Sequence, residues 1–266
     1  MDVRIVDTYA TSGRSGLHGA SPLSKLAAFA FVLAAVVVQS NVLVVAAIVL
    51  VVAAAALGSQ LPARHVFALA AYPGVFALVF ALAAAPDPLT GALFVAKAVA
   101  AALAAVTLVF TTPYPQIFAP LQAITPGVVG DALLMTYRSL FLLGDKFAGL
   151  LRAVRLRSGL SRGHPIRAAR ATAAALGGLV LYAFDLSQRE YDVLRLRGYG
   201  DRLKVTLPRA AWPLFDAALV SGALLVLATA LLWRVGSAAL NPFSWLPALA
   251  SVAALAAALL WRWTHR

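Results

Sequence analysis

The chain of 266 residues has no cysteine, which excludes disulfides, thiolate chemistry and cysteine-ligated metals together. Acidic residues are scarce as well, with ten Asp and Glu against 22 Lys and Arg. Charged residues of both signs reach only 12%, about half the roughly 25% of soluble domains. The four histidines, at 18, 65, 164 and 265, lack the spacing of metal ligands. No phosphate loop of the GxxxxGK[ST] type is present, so the chain is not expected to hydrolyse ATP. Asp185, Glu190, Asp192 and Asp201 form no repeated Asp-x-x-x-Asp set, and Mg²⁺-dependent chemistry on diphosphates would call for one. The polar stretch up to Ser24 carries no cleavable-signal pattern, so insertion is expected through the first helices themselves.

What fills the chain instead is apolar surface, 62% of all residues. The expected fold class is all-α: a polytopic membrane protein with about six transmembrane helices and a helical domain outside the bilayer. Leu26 to Leu57 is apolar except at Gln39-Ser40-Asn41. As one helix it would run about 48 Å, too long for a hydrocarbon core of about 30 Å. Two short helices with a polar turn at 39–41 are therefore expected, the second ended by Gly58, Ser59 and Pro62. Val66–Ala85 reads as the third span, with Pro73-Gly74 as a kink site. Pro86-Asp87-Pro88 makes the next turn, and Gly91–Phe110 the fourth span. Thr111-Thr112-Pro113-Tyr114-Pro115 stops it, because proline removes a donor and restricts the residue before it. Two last spans, Leu214–Trp233 and Trp245–Trp261, follow breaks at Pro208 and Pro213, with Trp233, Trp245, Trp261 and Trp263 placed as interfacial anchors.

Between these groups the character changes. Met135–Gly159 is a long helical pattern interrupted by Arg138, Asp145, Lys146 and Arg152. A polar hinge follows at Ser161-Arg162-Gly163-His164-Pro165, and a second long helix is expected from Ile166 to Arg197. Only Ala171–Phe184 of it is apolar, too short to span comfortably, so part of it should lie against protein. The expected domains are 1–126, transmembrane; 127–209, a domain of long helices; and 210–266, transmembrane. Twelve of the 22 basic residues fall in 151–209, against four acidic ones. The positive-inside tendency puts that segment and the C-terminus on the cytoplasmic side of the cell membrane. The side of the N-terminus stays open: four preceding spans place both ends inside, and a fifth at 127–146 would reverse it.

Two phrases forty positions apart carry the most information. Val154-Arg155-Leu156-Arg157-Ser158-Gly159 and Leu194-Arg195-Leu196-Arg197-Gly198-Tyr199 each put apolar-Arg-Leu-Arg-small at a helix end. Each alone reads as a C-terminal cap, with Arg at the negative end of the helix dipole and Gly159 or Gly198 in a left-handed conformation. Caps do not need the same order twice, whereas a partner with two equivalent sites would. Arginine also suits two-pronged pairing with carboxylates at an interface.

Several phrases resemble one family. Asp7-Thr8-Tyr9-Ala10, Leu17-His18 and Ser21-Pro22-Leu23-Ser24-Lys25-Leu26 look like the N-terminal segment of the T component of energy-coupling factor transporters. Thr111-Thr112-Pro113 resembles the Thr-Thr-Pro after that family's fourth helix. Met135-Thr136-Tyr137-Arg138-Ser139-Leu140-Phe141 with Asp145 resembles the start of its coupling domain. The two Arg phrases fall where the family carries paired Ala-Arg-Gly motifs, with Leu156 and Leu196 in the Ala positions and Ser158 in the first Gly position. The N-terminal and Met-Thr-Tyr-Arg features are similar to the cobalt-type subgroup, CbiQ. The resemblance implies a non-catalytic transmembrane subunit without cofactors that couples two cytoplasmic ABC-type ATPases to a substrate-capture membrane subunit similar to CbiM. It implies docking roles for Arg155, Arg157, Ser158, Gly159, Arg195, Arg197 and Gly198, with Arg157 and Arg197 entering one ATPase each. Cobalt or nickel is the implied cargo, with a vitamin as the alternative.

Other readings are weaker. A membrane enzyme acting on anionic lipid or prenyl diphosphate could use the basic 151–209 segment but lacks the acidic clusters, and a basic scaffold could bind anionic lipid. No nucleic-acid partner is expected. Lys97, inside the fourth span, either lines a pathway or snorkels. Asp185 and Arg189, four apart, read as a solvated helix pair.

Overall fold

The structure, a computed structural model, describes residues 9–11, 13, 15–124, 127–157, 165–200 and 213–264. Its regular elements there are helices: α1 (Gly16–Gly19), α2 (Pro22–Val38), α3 (Val42–Gly58), α4 (Ala63–Ala84), α5 (Pro88–Thr111), α6 (Tyr114–Ile124), α7 (Gly127–Leu156), α8 (Pro165–Leu196), α9 (Pro213–Val235), α10 (Ser237–Leu240) and α11 (Trp245–Thr264). A 3₁₀ turn, Asn241–Phe243, joins α10 to the last helix. The chain divides into two compact units, Met1–Ile117 with Leu207–Arg266, and Phe118–Thr206.

In the first unit α11 packs on α3, α9 on α2, and α4 on α5, while α5 also touches α2 and α3. Half of its buried cluster is alanine, including Ala35, Ala53, Ala100, Ala104 and Ala230, with Ile48, Leu61, Leu103 and Phe110 as the larger members. Small residues let helix backbones approach closely where lipid removes the hydrophobic drive for association. The outward side chains are apolar too: Tyr72, Val75, Phe76, Val79 and Phe80 of α4 are all exposed. Counting from the described residues, α4, α5, α8, α9 and α11 are long and apolar enough to cross a membrane, and α2 and α3 are shorter apolar helices of 17 residues each.

The polar turn falls where the length argument places it, between Val38 and Val42. Gln39, 1% exposed, is used from both ends. Its Oε1 accepts from the backbone N–H of Ser40 (2.7 Å) and Asn41 (3.0 Å), and its Nε2 donates to the carbonyl of Ala230 on α9 (3.3 Å). Asn41 Oδ1 then caps α3 by accepting from Leu43 N–H at 2.9 Å. Lys97 Nζ donates to the Val37 carbonyl (3.0 Å) and Arg234 Nη1 to Ser40 Oγ (2.6 Å), so both cations serve the same turn.

The opposite end of α5 shows a second long-range closure. Pro113 stops the helix, and the last carbonyls of α5 face an apolar surround with no partner of their own helix. They find side chains: His18 Nε2 lies 3.3 Å from the Phe110 carbonyl, and Lys25 Nζ donates to the Thr111 carbonyl at 2.9 Å and to the His18 carbonyl at 3.3 Å. Lys25 is 4% exposed, and its charge sits at the negative end of the α5 dipole. Ser21 caps α2 through Ser24 N–H (3.2 Å), and Ser21 N–H donates to Asp216 on α9 (2.9 Å). Thus His18 and the Ser21–Lys25 stretch close on Thr-Thr-Pro.

Some boundaries differ from expectation. The helix expected from Met135 begins at Gly127 and ends at Leu156. The stretch after Pro115 folds as α6, which prolines at 115 and 120 had hidden; proline is tolerated in a first turn, where its missing donor costs nothing. The fourteen-residue apolar run did not suggest a span, yet α8 as a whole meets the length and hydropathy requirement.

Gln39→Leu should lower stability by about 1–3 kcal/mol by leaving the Ser40 and Asn41 N–H groups without their acceptor, read as a reduced melting temperature in detergent. The pKa of His18 is lowered, first by burial and then by the charge of Lys25. A folded-state pKa below the unfolded value means that stability is full above about pH 6.5 and is lost as pH falls through the folded value. The melting temperature should therefore drop between about pH 7.5 and pH 5, with a shallower drop in His18→Gln.

Candidate partner-docking site

The second unit is built on α7 and α8, about 45 Å and 48 Å long. Three contacts fix their relation. Tyr199, just past α8, reaches Asp131 near the start of α7; Glu190 meets Ser139 (3.4 Å) and Arg138 (3.7 Å); and Lys146 stands 4.7 Å over the ring of Tyr182. As the α7 number rises, the α8 number falls, so the helices are antiparallel. The first Arg phrase ends α7 and the second ends α8, hence the two stand at opposite ends of the pair. Asp131 and Arg157 are 26 residues apart along α7, which separates the two tips by about 39 Å.

Both tips present the same surface. Leu156 and Leu196 are each 88% exposed, and a leucine so placed between two arginines leaves apolar area for a partner to cover. Arg155, Arg157, Arg195 and Arg197 are exposed and form no ion pair among the described residues. Arg195 lies 5.8 Å above the Tyr191 ring, an aromatic support that leaves its edge donors free. Ion pairs elsewhere in this unit include Arg138 with Glu190, across the two helices at 3.7 Å, and Arg189 with Asp185, within α8 at 2.7 Å.

The second tip is capped by backbone alone. Gly198 takes φ +75°, its N–H donates to the Arg195 carbonyl (3.0 Å), and Tyr199 N–H donates to the Leu194 carbonyl (3.0 Å). These two bonds form a Schellman motif that satisfies helix-end carbonyls without any side chain. The arginines are therefore not consumed as caps. At the first tip Arg157 N–H still donates to Ala153 at 3.1 Å, and Ser158 and Gly159 lie outside the described residues.

The pair buries little of itself. On α8 only Ala175 is buried, whereas Leu176, Val180, Leu181 and Phe184 are exposed. Between the helices runs a cleft of about 850 Å³ flanked by Met135, Ser139, Leu143, Leu186 and Glu190. No group of three His, Cys, Asp or Glu that could hold a metal occurs among the described residues; His164, His265 and Asp201 lie outside them. Sequence reasoning did not anticipate that Leu156 and Leu196 are exposed, although the doubled Arg-Leu-Arg marked them. It also passed over Gln122, Asp131 and the phenol of Tyr199, for which no local pattern exists.

Residues 86–207 match the family model CbiQ, described as cobalt transport protein. The matched segment takes in Thr111-Thr112-Pro113, Met135-Thr136-Tyr137-Arg138 and both Arg phrases, and points to a transporter component rather than an enzyme. No curated protein matches the chain.

Replacing Gly198 by alanine forces a side chain into positive φ and should cost about 1 kcal/mol at the α8 end. Faster amide exchange confined to Arg195–Tyr199 is the expected readout.

Proposed function

We propose that this chain, with its CbiQ-type segment, is the transmembrane coupling subunit of an energy-coupling factor importer. The observation that carries the reading is the pair of similar tips, each an exposed leucine between arginines that form no ion pair among the described residues, at opposite ends of one helical hairpin. Two separate copies of an ATPase subunit offer two equivalent sockets, and tips about 39 Å apart suit two bodies better than one. In each socket the leucine fills an apolar pocket while the guanidinium forks pair with carboxylates, and desolvation strengthens both contacts.

The energy source resides in those partners, because the chain has no phosphate loop. Nucleotide-driven movement of the two ATPases changes the tilt of the sockets. Stiff helices of about 45 Å pass that movement along their length instead of absorbing it. The exposed apolar face of α8 (Leu176, Val180, Leu181, Phe184) is where a separate substrate-capture membrane subunit, similar to CbiM, receives the movement. Cobalt or nickel is the proposed cargo, with a vitamin as the alternative, and cargo recognition belongs to the capture subunit. The excess of Lys and Arg in 151–209 supports a cytoplasmic side for both tips and for the C-terminus.

The test is co-purification of tagged chain with its ATPase subunits, followed by transport in vesicles. Arg157→Glu and Arg197→Glu should each weaken ATPase capture about thirtyfold or more, equivalent to about 2 kcal/mol, and the double reversal should abolish uptake. Leu156→Asp and Leu196→Asp should act in the same direction. Intact capture and uptake in the double reversal would sink the reading, and binding of the tips to anionic vesicles in place of ATPase would favour a lipid scaffold.

A further inference from the structure

Two tips can serve two sockets only if their separation is held, and the packing of α7 against α8 is too sparse to hold the second tip by apolar contact. A polar relay sits at that point. Asp131, 5% exposed, takes donors from two directions: Gln122 Nε2 on Oδ1 at 2.6 Å, and the Tyr199 phenol on Oδ2 at 2.5 Å. Gln122 is 6% exposed, and the chain makes room for it with Gly130, where a Cβ would fall on the Gln122 side chain. Tyr199 is tied twice. Its N–H closes the cap of α8 on the Leu194 carbonyl, while its hydroxyl reaches α7. One residue therefore connects the backbone of the second tip to the base of the helix that carries the first.

We propose that the Gln122–Asp131–Tyr199 relay is a positioning latch that pins the second Arg tip to the start of α7. With the latch closed, α7 becomes the spacer between the tips, and their separation is set by the number of residues from Asp131 to Arg157. A short phenol-to-carboxylate bond is directional and among the stronger hydrogen bonds, so it fixes an angle as well as a distance. The role of the latch in ATPase engagement rests on the docking reading given above; the spacing itself does not.

The chain's lack of cysteine makes the spacing measurable. Ala153→Cys and Leu196→Cys, spin-labelled in the full chain in nanodiscs without ATPase, report the separation of the tips by pulsed electron paramagnetic resonance. The parent should give one narrow distance distribution, and Tyr199→Phe, which removes a single oxygen, should broaden it. Asp131→Asn and Gly130→Ala, the latter by displacing Gln122, should broaden it as well. Narrow, parent-like distributions in Tyr199→Phe and Asp131→Asn overturn the latch, whatever the ATPases do. The functional arm uses chains with one working tip. In the Arg157→Glu background, where only the second tip binds, Tyr199→Phe should cut ATPase capture about tenfold. In the Arg197→Glu background it should change nothing. Equal effects in both backgrounds, or none in either, overturn the positioning role. Arg reversals that leave capture untouched overturn the docking reading alone, since the distance measurement decides the latch independently.

Discussion

A helix that ends in apolar surroundings leaves carbonyls that must find donors, and this chain meets that demand in three ways with different consequences. Where α2 ends, Lys97 of α5 donates to the Val37 carbonyl, while Gln39 accepts from the turn's own N–H groups and ties the turn to the Ala230 carbonyl of α9. Where α5 ends, His18 and Lys25 are brought in from the N-terminal stretch to Phe110 and Thr111. Where α8 ends, Gly198 bends the backbone so that it satisfies itself. The first two solutions use side chains and knit distant segments together. The third uses none, and so it leaves Arg195, Leu196 and Arg197 free to face outward.

That difference bears on the two readings of a basic helix end. Arginine near a C-terminus is commonly a capping group, drawn there by the dipole and the free carbonyls. A Schellman motif removes the need, and a leucine at 88% exposure has no capping role to play. Surface that is both costly to expose and unnecessary for the helix calls for another explanation, and the same surface recurs at Leu156. Lys25 is the contrasting case: a cation whose donors are spent on backbone and whose side chain is buried, so it holds the fold and is closed to a partner.

The antiparallel course of α7 and α8 makes two similar phrases into a device with length. Had the helices run parallel, both tips would lie side by side. Running in opposite directions, they stand about 39 Å apart, and any relay that locks one end sets the distance between them. Few apolar contacts hold the pair, so polar contacts at Asp131, Glu190 and Tyr182 carry the register.

Much of this was legible in the chain of residues. An apolar run longer than a bilayer is thick requires a break, and the only polar residues in it, Gln39-Ser40-Asn41, mark where. Proline after Thr112 must end a helix, and a repeated Arg-Leu-Arg marks two equivalent surfaces. These are local consequences of backbone chemistry and length. What α6 would do was hidden, because prolines in a first turn and in a helix interior read as breaks until the flanking packing is known. The long-range partners of His18, Lys25, Gln39 and Asp131 were hidden too, since they lie 68 to 191 residues away in the chain. The sequence by itself determined which segments are helices, which surfaces are apolar and that one basic phrase occurs twice. Only the tertiary structure decided that the two phrases stand at opposite ends of a hairpin, because the direction and register of packed helices come from contacts between distant residues, which no local period records.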